Sequence, residues 1–476
     1  MIDKNRASIS GWLMTQVFLA CLSSADGKAQ ATLIEGGYLF DGLADDVIEN
    51  PGILVQNGKF LQVGADSNGS YYPVARDTIK LLEEHYIIPG MFDLHAHYAM
   101  DLFGEGRVDE RVGYPTLFLA NGVTSTFPAG EVDPEEMRDL RLSIEQGKSV
   151  GARIFSAGPY FGSWRQGWNP DVTEDEIFQE VDHWVAQGVR AFKAKGISAE
   201  HLEALIKRAH TYGATVTGHL GSGYRSSVNP KDAILMGIDR VEHFLGGDAF
   251  TPDRSAYESL VEVDIESEDF SSIVALYIQR NVFFDATLSA YGYYGKRDPE
   301  VYEYFEDENK YFTEYMQGIL EGRTERSVNE QFEQIYWKKR ETIKAFYDAG
   351  GGHLITLGTD HPSWGEFLSP FSVHRELLSF VLSGIPESDA IKFATINGAK
   401  AMHAGDYLGS IESGKIADLV VLKGNPLEDI RNTRNTVLVM KNGQAYNPQD
   451  LLKSVEGTIG PRTPEDEKAW RPLGNQ

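Results

Sequence analysis

The sequence predicts an α/β chain: a (β/α)8 barrel of the TIM class, carrying a small β-sandwich built from both ends of the chain. Three observations predict it. Eight strand-like segments alternate with helix-like ones through residues 87–404. β-rich stretches broken by Gly, Asn and Asp lie on both sides of that middle, at 32–86 and 405–447. Polar, chemistry-bearing side chains stand where several of the strand patterns stop, as they do at the catalytic mouth of a barrel. A doubly wound open sheet is the alternative, and no Gly-x-Gly-x-x-Gly turn supports it.

Residues 1–31 read as a leader. Lys4 and Arg6 precede the apolar "WLMTQVFLACL" (12–22), and "AQA" at Ala29–Ala31 offers a small-x-small cleavage site. The apolar stretch is too short for a stable membrane span. The expectation is an exported protein, in a bacterial periplasm or outside the cell. A lipid anchor at Cys21 is the lesser reading, because Phe18 and Leu19 fit a lipoprotein site poorly. Cys21 is the sole cysteine, so no intrachain disulfide forms.

The first β-rich piece, "ATLIEGGYLFDGLADDVIENPGILVQNGKFLQVG" (31–64), alternates short apolar runs with turns. "LGSIESGKIADLVVLKGNPLEDI" and "NTVLVMKNGQAYN" (408–447) read the same way, so the two ends are assigned to one sandwich. Between them, the strand candidates are 87–97, 123–128, 152–158, 189–195, 214–220, 239–244, 282–287 and 353–360. Helical periodicity fills the intervals, as in "SAEHLEALIKRAHTYG" (198–213), and follows the last strand in "PESDAIKFATINGAKAM" (386–402). One connection, 288–350, is long and rich in aromatics, which argues against disorder. An insert after a barrel strand sits on the catalytic face, so a lid over the site and an oligomer contact are its two readings. The polar, Pro-rich end of the 448–476 tail either wraps the surface or is disordered.

The net charge of −26, from 44 basic and 70 acidic residues, excludes a nucleic-acid binder that depends on a basic surface. The chemistry begins in "IIPGMFDLHAHYAMD". Residues two apart on a strand share a face, so His95 and His97 project together and can chelate one metal ion. Lys193 lies in the fourth candidate strand, His219 and His243 near the ends of the fifth and sixth, and Asp360 at the end of the eighth. Each alone has a plain structural reading. Together, four imidazoles, a carboxylate and a lysine facing one cavity point to a metal site.

The stretches "GGYLFDG" (36–42), "IIPGMFDLHAH" (87–97), "GVRAFKAK" (188–195), "GHL" (218–220), "GIDRVEHF" (237–244), "GTD" (358–360) and "GSIESGKIADLVVL" (409–422) resemble the amidohydrolase superfamily. The resemblance is nearest to its imidazolonepropionase-like and Xaa-Pro dipeptidase-like group. It implies two divalent metal ions: His95, His97 and Asp360 hold the more buried one, and His219 and His243 the second. It also implies that Lys193, carboxylated by CO2, bridges them. Lys195 shares the face of Lys193 and is the alternative bridge. The expected ion is Zn2+ or a similar divalent metal of N and O preference, with manganese, cobalt and iron open.

The activity implied is hydrolysis of an amide-type carbon–nitrogen bond by a metal-bridging hydroxide, with Asp360 as the proton shuttle. A dipeptide, an N-acyl amino acid or a cyclic amide would suit the site. Tyr98, Tyr224, Arg225, His361 and Trp364 lie just beyond the ligands and are the candidate substrate contacts. The partners expected are a small molecule or short peptide and a second copy of the chain, with no nucleic acid. A lactonase or phosphotriesterase on the same centre is the alternative. A mononuclear deaminase and a non-catalytic binding protein are less favoured. The first lacks its Glu after His219, and the second would have lost ligands that are all present here.

Overall fold

The computed structural model describes residues 31–65, 75–222, 228–303, 308–323, 327–361 and 367–471. Most of the leader with Cys21, and Tyr224, Arg225 and Trp364, lie outside the described residues. Among the described residues no helix is long and apolar enough to cross a membrane.

Two mixed sheets are made from the chain's ends. A four-stranded sheet orders Lys59–Ala65, Pro51–Gln56, Ala31–Glu35 and Ala75–Lys80. A six-stranded sheet orders Gln444–Tyr446, Thr436–Lys441, Leu419–Lys423, His85–Pro89, Tyr38–Leu39 and Ile48–Glu49. In it Leu419–Lys423 runs antiparallel to His85–Pro89, with Val420 opposite Ile88. Ile87, Leu419 and Val421 pack on Ile34, Ile53 and Phe60 of the first sheet. The alternate residues Ile88, Val420 and Leu422 join the main core on the other side. Burial of both faces explains why these strands read as unbroken apolar runs rather than alternating ones.

The middle is α/β, with parallel strands separated by helices. One parallel sheet orders Arg153–Ile154, Val123–Pro128 and Met91–Ala96. The other orders Tyr160–Phe161, Ala191–Lys195, Thr215–His219, Arg240–Glu242, Phe283–Asp285 and Ile355–Thr356. Backbone hydrogen bonds cross both gaps between the two sheets. Leu94 N–H donates to Leu357 O at 2.9 Å and Asp360 N–H to His95 O at 2.9 Å; Glu131 N–H donates to Gly158 O at 3.2 Å. The helices turn one apolar face inward. Ala199–Thr211, capped by Ser198, buries Leu202, Leu205, Ile206 and Ala209.

Three strand expectations are corrected. The 87–97 candidate is two strands, His85–Pro89 in the end-built sheet and Met91–Ala96 in the parallel one. Gly90 makes the crossing: a Cβ there would lie 2.3 Å from Thr124 Oγ1. The 152–158 candidate is also two, because the chain passes from one parallel sheet to the other between Ile154 and Tyr160. In the last candidate only Ile355–Thr356 is strand, since Gly351–Leu354 forms a 3-10 turn.

Among the described residues the 288–350 insert carries four α-helices, the longest being Glu330–Asp348. That helix buries Ile335, Tyr336, Lys339, Thr342, Ile343 and Phe346, so along this face the insert is core rather than lid. The tail packs against it: Thr313 N–H donates to Ile459 O at 2.9 Å, Tyr315 Oη donates to Glu467 Oε1 at 2.5 Å, and Ile459 is fully buried.

Candidate metal centre

The strand Met91–Ala96 delivers His95 and His97, both buried, to the C-terminal end of the parallel strands. The chain leaving Ile355–Thr356 delivers Asp360 to the same place. His97 Nε2 lies 2.8 Å from Asp360 Oδ1, and His95 Nε2 lies 3.2 Å from the same oxygen. His95 Nδ1–H donates to Asp285 Oδ2 at 3.1 Å. A carboxylate accepts only, so the proton stays on Nδ1 and the Nε2 lone pair faces the Asp360 oxygen. A proton or a metal ion between nitrogen and oxygen accounts for these distances. The donor set, two imidazole nitrogens and a carboxylate oxygen, suits a divalent metal.

Parallel register builds the second half. Lys195, His219, Glu242 and Asp285 are successive partners across four strands, and Lys193, Thr217 and Arg240 form the row below. Lys193 Nζ donates to Glu242, and Thr217 Oγ1 donates to Glu242 Oε1 at 3.0 Å. The His243 ring centroid is 4.3 Å from that of His219 and 4.9 Å from that of His95. His243 Nδ1 is 2.8 Å from Thr287 Oγ1. Its Nε2 is buried and has no hydrogen-bond partner among the described residues. The structure thus brings His95, His97, Lys193, His219, His243 and Asp360 into one pocket. Lys195 instead sets its Nζ 3.8 Å from the Trp164 ring centroid.

Burial and charge act in opposite senses here. Burial pushes His97 down to about 3, and holds His219 and His243 well below the usual imidazole range. These three are neutral, as ligands must be. His95 is raised in spite of burial, because Glu242 and Asp360 face it. Asp360 is held well below the usual carboxylate range; burial opposes this, and His95, with the hydrogen bonds from His95 and His97, overcomes it. Glu242 falls to about 2, again against burial, through His95 and Lys193. Burial lowers the Lys193 ammonium, and the Glu242 carboxylate opposes it.

Two carboxylates went unread in the sequence. Glu242 groups with His95 and His243 as potential donors to one metal, and Asp285 fixes the His95 tautomer. Strand alternation would turn Glu242 away from its neighbour His243. The backbone at His243, at φ 69°, breaks that alternation and aims both at the pocket. Register with His219 was the signal that could have found Glu242.

The expectation that Tyr98 contacts substrate is corrected. It is buried between Tyr114 and Phe118, and its hydroxyl bonds Thr126 Oγ1 at 3.2 Å, away from the cluster. His361 is fully buried, its ring centroid 5.0 Å from that of Tyr293 and 6.2 Å from that of Phe367. Tyr257, unread in the sequence, places its hydroxyl 3.4 Å from His219 Nε2.

Over 77 residues, 15% of this chain, the sequence is 39% identical to a 5-methylthioadenosine/S-adenosylhomocysteine deaminase of Thermoanaerobacter pseudethanolicus. The match spans only 18% of that relative's length. The fold is similar to a Xaa-Pro dipeptidase solved with bound methionine, at a TM-score of 0.66 and 23% identity, over 88% of this chain and 100% of that one. It is also similar to phenylurea hydrolase B, at a TM-score of 0.68 and 18% identity, over 91% and 100%. Residues 86–446 match the model of the amidohydrolase family, and the chain belongs to that family.

Proposed function

We propose that this chain is a metal-dependent hydrolase cleaving an amide-type carbon–nitrogen bond in a small molecule or short peptide. His95, His97 and Asp360 would hold one divalent ion, and His219 and His243 a second, with Lys193 between them. The observation that carries the reading is that His95 Nε2 and His97 Nε2 each lie within 3.2 Å of a single Asp360 oxygen. The backbone hydrogen bonds across the gaps support reading the parallel strands as one closed (β/α)8 ring, whose mouth this pocket occupies.

When bound, the ions would supply Lewis acidity and a nucleophile at neutral pH. Zn2+ is the ion we favour. Asp360, partly open to solvent beside the two imidazoles, would take the proton of the attacking water and hand it to the leaving amine. Lys193, with its amine favoured by burial, would add to CO2, losing one proton and leaving a carbamate anion between the two ligand sets. Lys195, with no carboxylate in ion-pair range among the described residues, favours substrates that carry a carboxylate, such as dipeptides and N-acyl amino acids. The leader-like residues 1–31 support export.

A deaminase is the second reading, favoured by the short identity to a deaminase. Zinc-loaded protein is to be screened against dipeptides, N-acyl amino acids, lactones, phosphotriesters and adenine nucleosides, with metal content measured per chain. Two ions and release of an amine from an amide are expected. Turnover confined to lactones or phosphotriesters, or ammonia release from nucleosides with one ion per chain, would overturn the reading.

A further inference from the structure

The insert sends the Lys339 side chain to the candidate metal centre. Lys339, on the helix Glu330–Asp348, is 2% exposed. Its Nζ donates to the His243 backbone carbonyl at 2.6 Å and to Thr287 Oγ1 at 3.3 Å. It lies 4.0 Å from the Tyr291 ring centroid and 5.1 Å from that of Phe244. No carboxylate is within ion-pair range of it among the described residues. A lysine buried on these terms is costly, and burial draws its ammonium down to about 7.

The Thr287 hydroxyl has one proton, and it goes to Ala286 O at 2.7 Å. Its lone pairs are therefore left for Lys339 and for His243 Nδ1, 2.8 Å away. His243 must then carry its proton on Nδ1, which leaves the Nε2 lone pair for a metal. Lys339 thus holds His243 at two points, the carbonyl directly and the ring through Thr287. Both residues it touches sit at strained backbone angles, φ 69° at His243 and φ 53° at Thr287.

We propose that Lys339 is a positioning residue: it clamps the backbone and ring tautomer of His243 so that Nε2 points at the second metal position. The insert then serves the centre from behind, as part of its support. The inference rests on the binuclear reading above, and the experiment separates the two.

Lys339→Met and Thr287→Val are to be made in the full chain, stripped of metal, and titrated with Zn2+. The expected result is an unchanged first ion and a second ion weakened about 10- to 100-fold, with the apo-protein melting within a few degrees of wild type. Thr287→Ser, which keeps the hydroxyl, restores wild-type titration. In the apo-protein, 15N-histidine spectra show His243 as the Nδ1–H tautomer, and Thr287→Val removes that preference. Two wild-type affinities in both variants overturn the role of Lys339 while leaving the binuclear reading intact. So does an equal weakening of both ions. Should Lys339→Met fail to fold, Thr287→Val against Thr287→Ser decides the matter. A wild-type protein that takes up fewer than two ions overturns the binuclear reading, and the role of Lys339 with it.

Discussion

Gly358 is the position at which one added methyl group should do the most damage. An ideal Cβ built there lies 2.2 Å from Asp285 Oδ1, 2.3 Å from Oδ2 and 2.5 Å from Cγ. Ordinary contact begins near 3.4 Å, so Gly358→Ala must drive the Asp285 carboxylate back by about 1.2 Å. Its bond to His95 Nδ1 is 3.1 Å, and such a displacement breaks it. The loss of a buried hydrogen bond to a charged acceptor costs about 1.5–3 kcal/mol. Overpacking adds about 1–3 kcal/mol. We expect a total of about 3–5 kcal/mol in urea unfolding of the apo-protein, and a first-ion affinity weakened about 10- to 100-fold. The check is a double-mutant cycle with Asp285→Ala, which removes the atoms that clash. In that background Gly358→Ala should cost about 2 kcal/mol less than it does alone. An equal cost in both backgrounds, or a single-variant cost below about 0.5 kcal/mol, refutes the reasoning.

Asp360→Asn should keep a folded circular-dichroism spectrum and cut kcat about 10²- to 10⁴-fold, measured on whichever amide the screen yields; near-wild-type turnover removes Asp360 from proton transfer. Dialysis against a chelator should abolish activity and zinc should restore it, with free ion at a hundred times its Kd stabilising the fold by about 2.7 kcal/mol. Equal melting of stripped and loaded protein contradicts a built site. His210 Nε2–H donates to Asp239 Oδ2 at 3.0 Å, and this bond raises its pKa above the usual imidazole value. A raised imidazole stabilises fully below the unfolded pKa, and the effect is lost as pH rises through the folded one. His210→Gln should therefore destabilise near pH 5.5 and much less near pH 8.5. The pair is half exposed, which keeps the difference under about 1 kcal/mol. A deficit that grows with pH contradicts the assignment.

The α/β alternation was legible because short β-prone runs such as 123–128 and 282–287 alternate with helix-period segments such as 198–213. His95 and His97 were legible because their spacing and strand period agree. What stayed hidden depends on neighbours in space rather than in sequence. Glu242 and Asp285 declare themselves only through register, as partners of one another across adjacent strands. The break at Gly90 was invisible because both strands it joins are apolar, and only the close approach of Thr124 explains it. Lys339 stands in "YWKKRETIK", where a charged residue on a helix reads as solvated; the insert's fold, not its composition, buries it.

The same contrast explains why the centre is built on strained backbone. His243, Thr287 and Asp360 have φ of 69°, 53° and 44°, values that residues with a Cβ adopt at a cost of about 1–3 kcal/mol each. A regular strand can present a side chain only along its alternating directions. Donors that converge on a point, as His97 Nε2 and Asp360 Oδ1 do at 2.8 Å, must leave those directions. Each departure is held by a bond from elsewhere: Asp360 N–H to His95 O, His243 N–H to Asp285 O with Lys339 on the His243 carbonyl, and Lys339 to Thr287 Oγ1. A chain lacking any of these would relax toward regular strand geometry and turn its ligands apart. The strain and the ties that hold it are therefore one device, and it spends fold stability to keep the ligand atoms aimed before a metal arrives.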